Sequence, residues 1–533
     1  MDRTECTTQL ELFEVCRQQV TLDYEGEGIV SDAGLLPVAK LDRELGILAE
    51  AASRLPDPRT QEFVTHSAEQ ILRQQVYQIL AGYPDGNDAQ LLRNDPLFKT
   101  LVGVDPRLED RPLASGSTIN RFQHAFTRRE AEKPIEDRDV LFEVRRAQIE
   151  RINGLNEFLI DAFVRTRKQT PKRVIIDLDP TDDTAHGKQQ LTFWHGYYDQ
   201  NQYFPMMIFE GETGMPLAAW LRPGTVHASC GAVDMLKLIV DRLRQHWPDV
   251  VISVRGDSGV AGPEMYDYCE AEGFEYAFGY ATNDTLVRRV KELELEENAK
   301  LLWWMTGRRG FQLFHTFDDY QAGSWPHARR IVTKVEFTKL GGLNATANVR
   351  FVVTNMSGFA KDIYHGYYTQ RGRVPERPIG ELKNGLHMDR LSSHRFLANG
   401  HKLMVHMLAY LLYALFREAQ CEAAKQCTPE TATDEKSRLK ELSKMEIGTA
   451  RVRLFKVGAQ VKATHRRIWF HVASHWPGRE LLTTAIRSVA EHVQALDICW
   501  RRLGLFVSAE ELVRRMCLSP APAKIEFAPL PLK

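Results

Sequence analysis

Clustered cysteine is the first thing this 533-residue sequence lacks: its eight cysteines (Cys6, Cys16, Cys230, Cys269, Cys421, Cys427, Cys499, Cys517) lie scattered, with no C-x-x-C pair. That excludes a disulfide framework or a zinc site of the usual spacing, and points to a reducing compartment. Long apolar runs are also missing. The most apolar stretch, Leu403 to Phe416, is shorter than the ~20 residues a bilayer requires and contains His406, so it reads as a buried helix and no membrane partner is expected. The opening segment, MDRTECTTQLELFEV, is acidic and polar, unlike a secretion signal, and a cytoplasmic protein is expected. Neither sign of charge dominates: 69 basic against 70 acidic residues give a net charge of -1, which neither favours nor excludes nucleic acid. No internal repeat is present, and only Ser519 to Lys533 is proline-rich.

The charge that is present is unevenly spread. Between Ile447 and Arg479 there is no acidic residue, whereas Arg451, Arg453, Lys456, Lys462, Arg466, Arg467 and Arg479 are basic. Such a segment can form a DNA-facing surface inside a neutral chain. A hydrophobic fraction of 43% is ample for a core, and the length predicts several folding units rather than one.

Periodicity divides the chain. Residues 1–165 read as a helical N-terminal region for DNA binding or dimerisation, with a helix expected from Thr60 to Gly82. Leu113 to Phe122 (LASGSTINRF) places hydroxyl caps before a short helix bearing Asn120 and Arg121, which fits either an ordinary capped helix or the reading helix of a helix-turn-helix unit. Residues 170–282 alternate between short strands and helices, predicting an α/β mixed sheet. Strands are expected at Arg173 to Asp179, Gln190 to Tyr198, Tyr203 to Glu210, Pro216 to Leu221, Val250 to Arg255 and Glu275 to Tyr280, and helices at Ala232 to His246 and Pro263 to Glu272. Residues 283–355 read as a β-rich insertion opened by a charged helix, and residues 356–425 as helical. Residues 426–533 comprise a polar linker, Gln426 to Lys444, and the smaller basic C-terminal region. Trp194, Tyr197 and Tyr198 read first as strand side chains of the sheet core, and alternatively as platforms on which unstacked bases could rest.

Two strands end in acids. Asp177 and Asp179 lie on one face of the run ending in Pro180-Thr181, and Asp257 follows Arg255-Gly256 at the end of another apolar strand. Each pattern fits ordinary turn chemistry as well, and Gly256 and Gly259 could admit a ligand close to the backbone. Converging carboxylates suit hard divalent cations. Without one, two such groups about 4 Å apart repel by roughly 4 kcal/mol at an effective dielectric of about 20. Further on, Glu376 is followed by six residues and then Lys383, and Glu376, Ile379 and Lys383 can share a helical face.

In order and spacing, these segments resemble the transposases of the insertion-sequence-1380 family, within the ribonuclease H-like DDE group. The resemblance is carried by Gly82 to Ala89 (GYPDGNDA), Leu92 to Pro96, Leu113 to Phe122, Asp177 to Asp182 (DLDPTD), Tyr203 to Pro205, Leu221 to Gly224, Val254 to Gly259 (VRGDSG), Glu376 to Asn384 (ERPIGELKN), Ser393 to Asn399 and Arg451 to Ala459 with Arg466 and Arg467. It implies a ribonuclease H-like catalytic core and the acid trio Asp179, Asp257 and Glu376 as catalytic residues and ligands of two Mg²⁺ ions, for which Mn²⁺ could substitute. Tyr368, Arg371 and Lys383 would complete a Tyr-Arg-Glu-Lys signature that contacts DNA. Asp177 is the alternative to Asp179, which is preferred because Thr181 follows it at the family offset; Glu381 is the alternative to Glu376. Four residues separate Arg371 from Glu376 where the pattern has three, so either Arg373 takes the arginine's role or a helix irregularity near Pro375 absorbs the extra residue. The implied partners are double-stranded DNA, as terminal inverted repeats and target, and a second copy of the chain. Arg121, Arg451, Arg453, Arg466 and Arg467 are the further DNA-binding candidates. A non-transposing nuclease and an inactive DNA-binding derivative are the rival readings.

Overall fold

The computed structural model describes residues 10–15, 18–22, 28–57, 59–108, 110–124, 138–185, 187–196, 199–306, 310–338, 347–373, 376–427 and 433–502. Tyr197, Tyr198 and the proline-rich tail fall outside them.

The apolar run at Arg173 is buried from Val174 to Leu178, as befits a strand covered on both faces. It forms β1 (Arg173–Pro180), the middle of an eight-stranded sheet whose other members are β2 (Met206–Glu210), β3 (Pro216–Trp220), β4 (Val251–Gly256), β5 (Glu275–Tyr280), β6 (Gly310–Tyr320), β7 (Arg329–Thr338) and β8 (Asn348–Thr354). The strand order is β6-β7-β8-β5-β4-β1-β2-β3. β1, β2 and β3 pair antiparallel, whereas β4 runs parallel to β1 and β5 parallel to β4. Those five strands have the order and directions of a ribonuclease H-like core. Residues 310–354 extend the same sheet, because β8 pairs antiparallel with β5. The expected charged helix before them is two helices, Asp284–Glu292 and Leu295–Thr306, separated where Glu294 adopts a φ of 47°.

One face of the sheet packs into the main core with the long helix Phe396–Gln426, whose buried residues include Leu403 through Phe416. No helix among the described residues is long and apolar enough to cross a membrane. The opposite face is a smaller layer: Ile175, Ala277, Val332 and Val352 lie beneath Ile363, Tyr364 and Tyr367. That cover is irregular. A π turn (Asp362–Tyr367) runs into a 3₁₀ segment (Tyr368–Arg373), and a short α-helix (Glu376–Gly380) runs into a second π turn (Glu381–Gly385).

Three local differences have physical reasons. The helix expected from Thr60 starts at Ala68, because Ser67 and Gln70 form a reciprocal capping box there. Of the expected strand Gln190 to Tyr198, the described residues form a strand at Phe193–His195, in a small sheet of order Asp183–Thr184, Gln200–Tyr203, Phe193–His195. The presumed linker contains a helix, Thr433–Lys444, whose Leu439 and Leu442 are buried and which packs along the Phe396–Gln426 helix. The basic C-terminal segment includes a hairpin, Ala459–Ala463 with Ile468–Val472, and Ile29–Val30 joins it as a third strand.

Candidate active site

Parallel pairing carries β1 and β4 to the same sheet edge. In register, Arg255 lies beside Asp177 and Gly256 beside Leu178, so Asp257, the next residue, falls beside Asp179. Neighbouring strands are about 4.8 Å apart, which makes the two aspartates direct neighbours. The connection from β1 to β2 carries the small sheet with Trp194, so that sheet sits at this end too.

The two aspartates of β1 have separate environments. Asp177 is fully buried and accepts from Arg255 Nε at 2.6 Å and Nη2 at 2.7 Å. Arg255 also donates to the carbonyls of Tyr367 at 2.9 Å and Gly211 at 3.1 Å, clamping both strands to the irregular cover. Gly211 is required there, since a methyl group on it would lie 2.4 Å from Arg255 Nη2. Asp179 sits at the rim, with Arg371 Nη1 at 3.7 Å. Burial works against the charge of Arg371, but Asp179, Tyr368 and Asp257 around it hold its pKa above the ordinary value. Burial likewise raises the Tyr368 phenol, opposed by Arg371 and assisted by Asp257. The Tyr368 hydroxyl rests against Gly279 of β5, where a methyl group would come within 2.7 Å of it.

Asp257 Oδ1 accepts from the amides of Gly259 at 2.9 Å and Val260 at 3.1 Å, so the turn reading holds for one oxygen and leaves Oδ2 outside the turn. Gly256 and Gly259 do not open the backbone to a ligand: Val260 and Phe278 fill the space at the first, Ala228 and Asp257 that at the second. Lys383 reaches the same edge, donating to Asp182 at 2.9 Å. Asp183, beside it, is buried with neither oxygen hydrogen-bonded. Burial pushes its carboxyl up to about 8, Lys383 opposing and Asp389 and Asp182 adding to the rise.

Glu376 opens its short helix, but its side chain and that of Arg373 lie outside the described residues. Glu381 is buried and bound by Arg417 at 2.6 Å and Arg377 at 3.2 Å; burial raises its pKa and the arginines oppose the rise. Among the described residues, no three acids, histidines or cysteines are grouped to hold a metal ion. The strand ends nonetheless present two hard carboxylate donors at one edge, a set that suits Mg²⁺ completed by water and a further ligand.

A family model described as transposase DDE domain group 1 matches residues 13–494. The chain belongs to that family. Among curated proteins, none matches. Among solved structures, this DDE transposase is similar to the chain in a cryo-EM structure of the piggyBac transposase synaptic complex with hairpin DNA, at 11% identity and a TM-score of 0.35, over 80% of this chain and 81% of that one.

The basic candidates of this DDE transposase are not equivalent. Arg466 and Arg467 are exposed at the hairpin turn, and Arg121 is exposed on helix Gly116–Gln123. Arg453 pairs with Glu441. Arg451 turns inward, donating to the carbonyls of Gly385 at 2.6 Å, Leu80 at 3.2 Å and Ile79 at 3.3 Å. Trp194 departs from the core expectation: it is 56% exposed, because its strand belongs to the small sheet rather than the large one. The Arg255–Asp177 clamp escaped the sequence reading; its signal was an arginine inside an otherwise apolar strand, which must find a partner.

Proposed function

We propose that the chain is the transposase of a bacterial insertion sequence of the 1380 family, acting in the cytoplasm on the element's terminal inverted repeats. The observation that supports this most is the placing of Asp179 and Asp257 at the ends of two adjacent parallel strands, both acting on Arg371, in a chain of the DDE transposase family. Asp179, Asp257 and Glu376 would hold two divalent ions, which when bound would supply Lewis-acid activation of the attacking oxygen and neutralise charge at the phosphate. Asp177 is a poorer candidate because Arg255 binds both its oxygens, and Glu381 because it is buried with Arg417 and Arg377 on its Oε1.

The chain's own residues position the DNA. Arg371, Tyr368 and Lys383 hold phosphates beside the acids, contacts that orient the strand without reading sequence. A water oxygen attacks the phosphodiester at the element's end, the bond to the 3′ oxygen breaks, and a 3′-hydroxyl is released. That hydroxyl attacks a target phosphodiester at the same acids, forming one bond as another breaks. Trp194 offers an exposed face for an unstacked base at the same end of the sheet. Two copies would be needed to join two ends.

Incubating the protein with Mg²⁺, labelled terminal-repeat DNA and target DNA tests this reading. Cut and joined products are expected, and Asp257→Asn should abolish both while terminal DNA still binds. Cutting without joining would favour a nuclease, binding alone an inactive derivative, and full cleavage by Asp257→Asn would remove that residue from the chemistry.

A further inference from the structure

Away from the strand ends, a cavity of about 440 Å³ lies between helix Ala68–Ala81 with its Gly82–Asn87 turn, helix Gly116–Gln123, the segment around Arg390 and helix Phe396–Gln426. Its wall is polar in an unusual way. Gln78 and Gln75 are 4% and 7% exposed, and Gln78 Nε2 and Gln75 Oε1 have no hydrogen-bond partner within the protein. His406, 3% exposed, uses Nδ1 on the Lys402 carbonyl, and its Nε2 has no such partner. All three side chains line the cavity, so one of its walls is polar. Positive charge is supplied by Lys402, whose ammonium meets the Ser392 hydroxyl at 2.9 Å, and by Arg390, which makes a long 3.5 Å contact with Asp85 at the rim. Exposed Asn120 completes the lining.

We propose that this cavity receives one nucleotide of the DNA, its base against the amides and its phosphate against Lys402 and Arg390. Carboxamides offer a donor and an acceptor together, which is what the edge of a base requires. The cations are of the kind that hold phosphate. The volume falls in the range of single small-ligand pockets, so a nucleotide still stacked and paired in a duplex cannot enter; only an unstacked one can. Asn120 sits beside exposed Arg121, and Arg390 lies five residues beyond the Glu381–Gly385 turn, so the cavity borders both surfaces assigned to DNA. This inference rests on the reading of the chain as a DNA-acting transposase. A free nucleotide shares the same chemistry and is the alternative source.

The test uses full-length Asp257→Asn protein and duplexes of the element's own terminal sequence, with 2-aminopurine placed in turn at each position around the cleavage point. Fluorescence should rise several-fold at one position on binding. That rise should be lost with Lys402→Met and with the exposed change Asn120→Ala, and restored by Lys402→Arg. Circular dichroism and melting confirm that the variants fold. A flat signal at every position with normal DNA binding overturns the pocket and leaves the transposase reading intact. Failure to bind terminal DNA overturns that reading and this one with it. A rise that survives both Lys402→Met and Asn120→Ala places the unstacked base elsewhere and overturns the assignment. A flat DNA signal with a melting temperature raised by deoxyadenosine monophosphate assigns the cavity to a free nucleotide instead.

Discussion

Strand β1 carries two aspartates two residues apart on one face, and each meets an arginine. Asp177 and Arg255, at 0% and 2% side-chain exposure, are joined by two close bonds; Asp179 and Arg371, at 15% and 18%, approach only to 3.7 Å. The residue types are identical, so composition cannot explain the difference. Depth can. A charge pair removed from water must be complete, because an unmatched partner would remain desolvated. At the rim, water and incoming phosphate can replace either partner, so the pair can exchange contacts. The deep pair fastens β1, β4 and the irregular cover together, and thereby sets where the shallow pair stands.

Breaking the deep pair should produce the largest effect. Asp177→Asn leaves the Arg255 charge buried and should cost about 3–5 kcal/mol of folding stability, read from urea or thermal melts. Asp179→Asn should cost clearly less stability than Asp177→Asn, because the 3.7 Å rim pair can exchange its contact for water, while removing cleavage. Equal destabilisation by the two would erase the distinction between them. Next in size is Gly279→Ala, which forces a methyl group against the Tyr368 hydroxyl. Overpacking of this kind costs about 1–3 kcal/mol. If Tyr368 helps hold phosphate, cleavage should fall by more than the lost fold accounts for.

Much of this arrangement was legible from the chain. The run from Val174 to Leu178 announces a strand buried on both faces, and helix Ala232–His246 and strand Glu275–Tyr280 lie where their periodicity puts them. What was hidden depends on register and on distant partners. That Asp177 meets Arg255 follows only once β1 and β4 are aligned. Arg371 stands beside Asp179, whereas the sequence spacing left Arg371 and Arg373 both open, because π and 3₁₀ turns do not keep the helical period. The helix Thr433–Lys444 looked like a linker because its polar face supplies most of its residues and only Leu439 and Leu442 are buried on the long helix.

A pH-dependent effect is expected from Asp183, which stands beside the strand-end acids. Its carboxyl stands near 8 in the folded protein, burial being the main cause, against about 3.9 when unfolded. Between roughly pH 4 and 8 the folded form therefore keeps a proton that the unfolded form releases, and this residue lowers stability as pH rises. Asp183→Asn should remove that slope, so its advantage in melting temperature over the wild type should grow from pH 5 to pH 8. A constant difference across that range would mean that Asp183 ionises freely in the folded protein.

The smallest expected effect separates arginines at the surface from one turned inward. Arg466 and Arg467 stand exposed at a hairpin turn, whereas Arg451 spends its guanidinium on three carbonyls that tie helix Ala68–Ala81 to the Glu381–Gly385 turn. Phosphate contacts release counterions, so each exposed arginine that makes one should contribute about one unit to the slope of log affinity against log salt. Replacing Arg466 and Arg467 by alanine should flatten that slope by up to about two units without altering the melting temperature. Arg451→Ala should do the reverse, because it leaves carbonyls unpaired inside the protein while taking no charge from the DNA surface. A slope unchanged by the double variant would move the C-terminal DNA contact off the hairpin, and a slope flattened by Arg451→Ala would mean that this arginine swings outward to meet a phosphate.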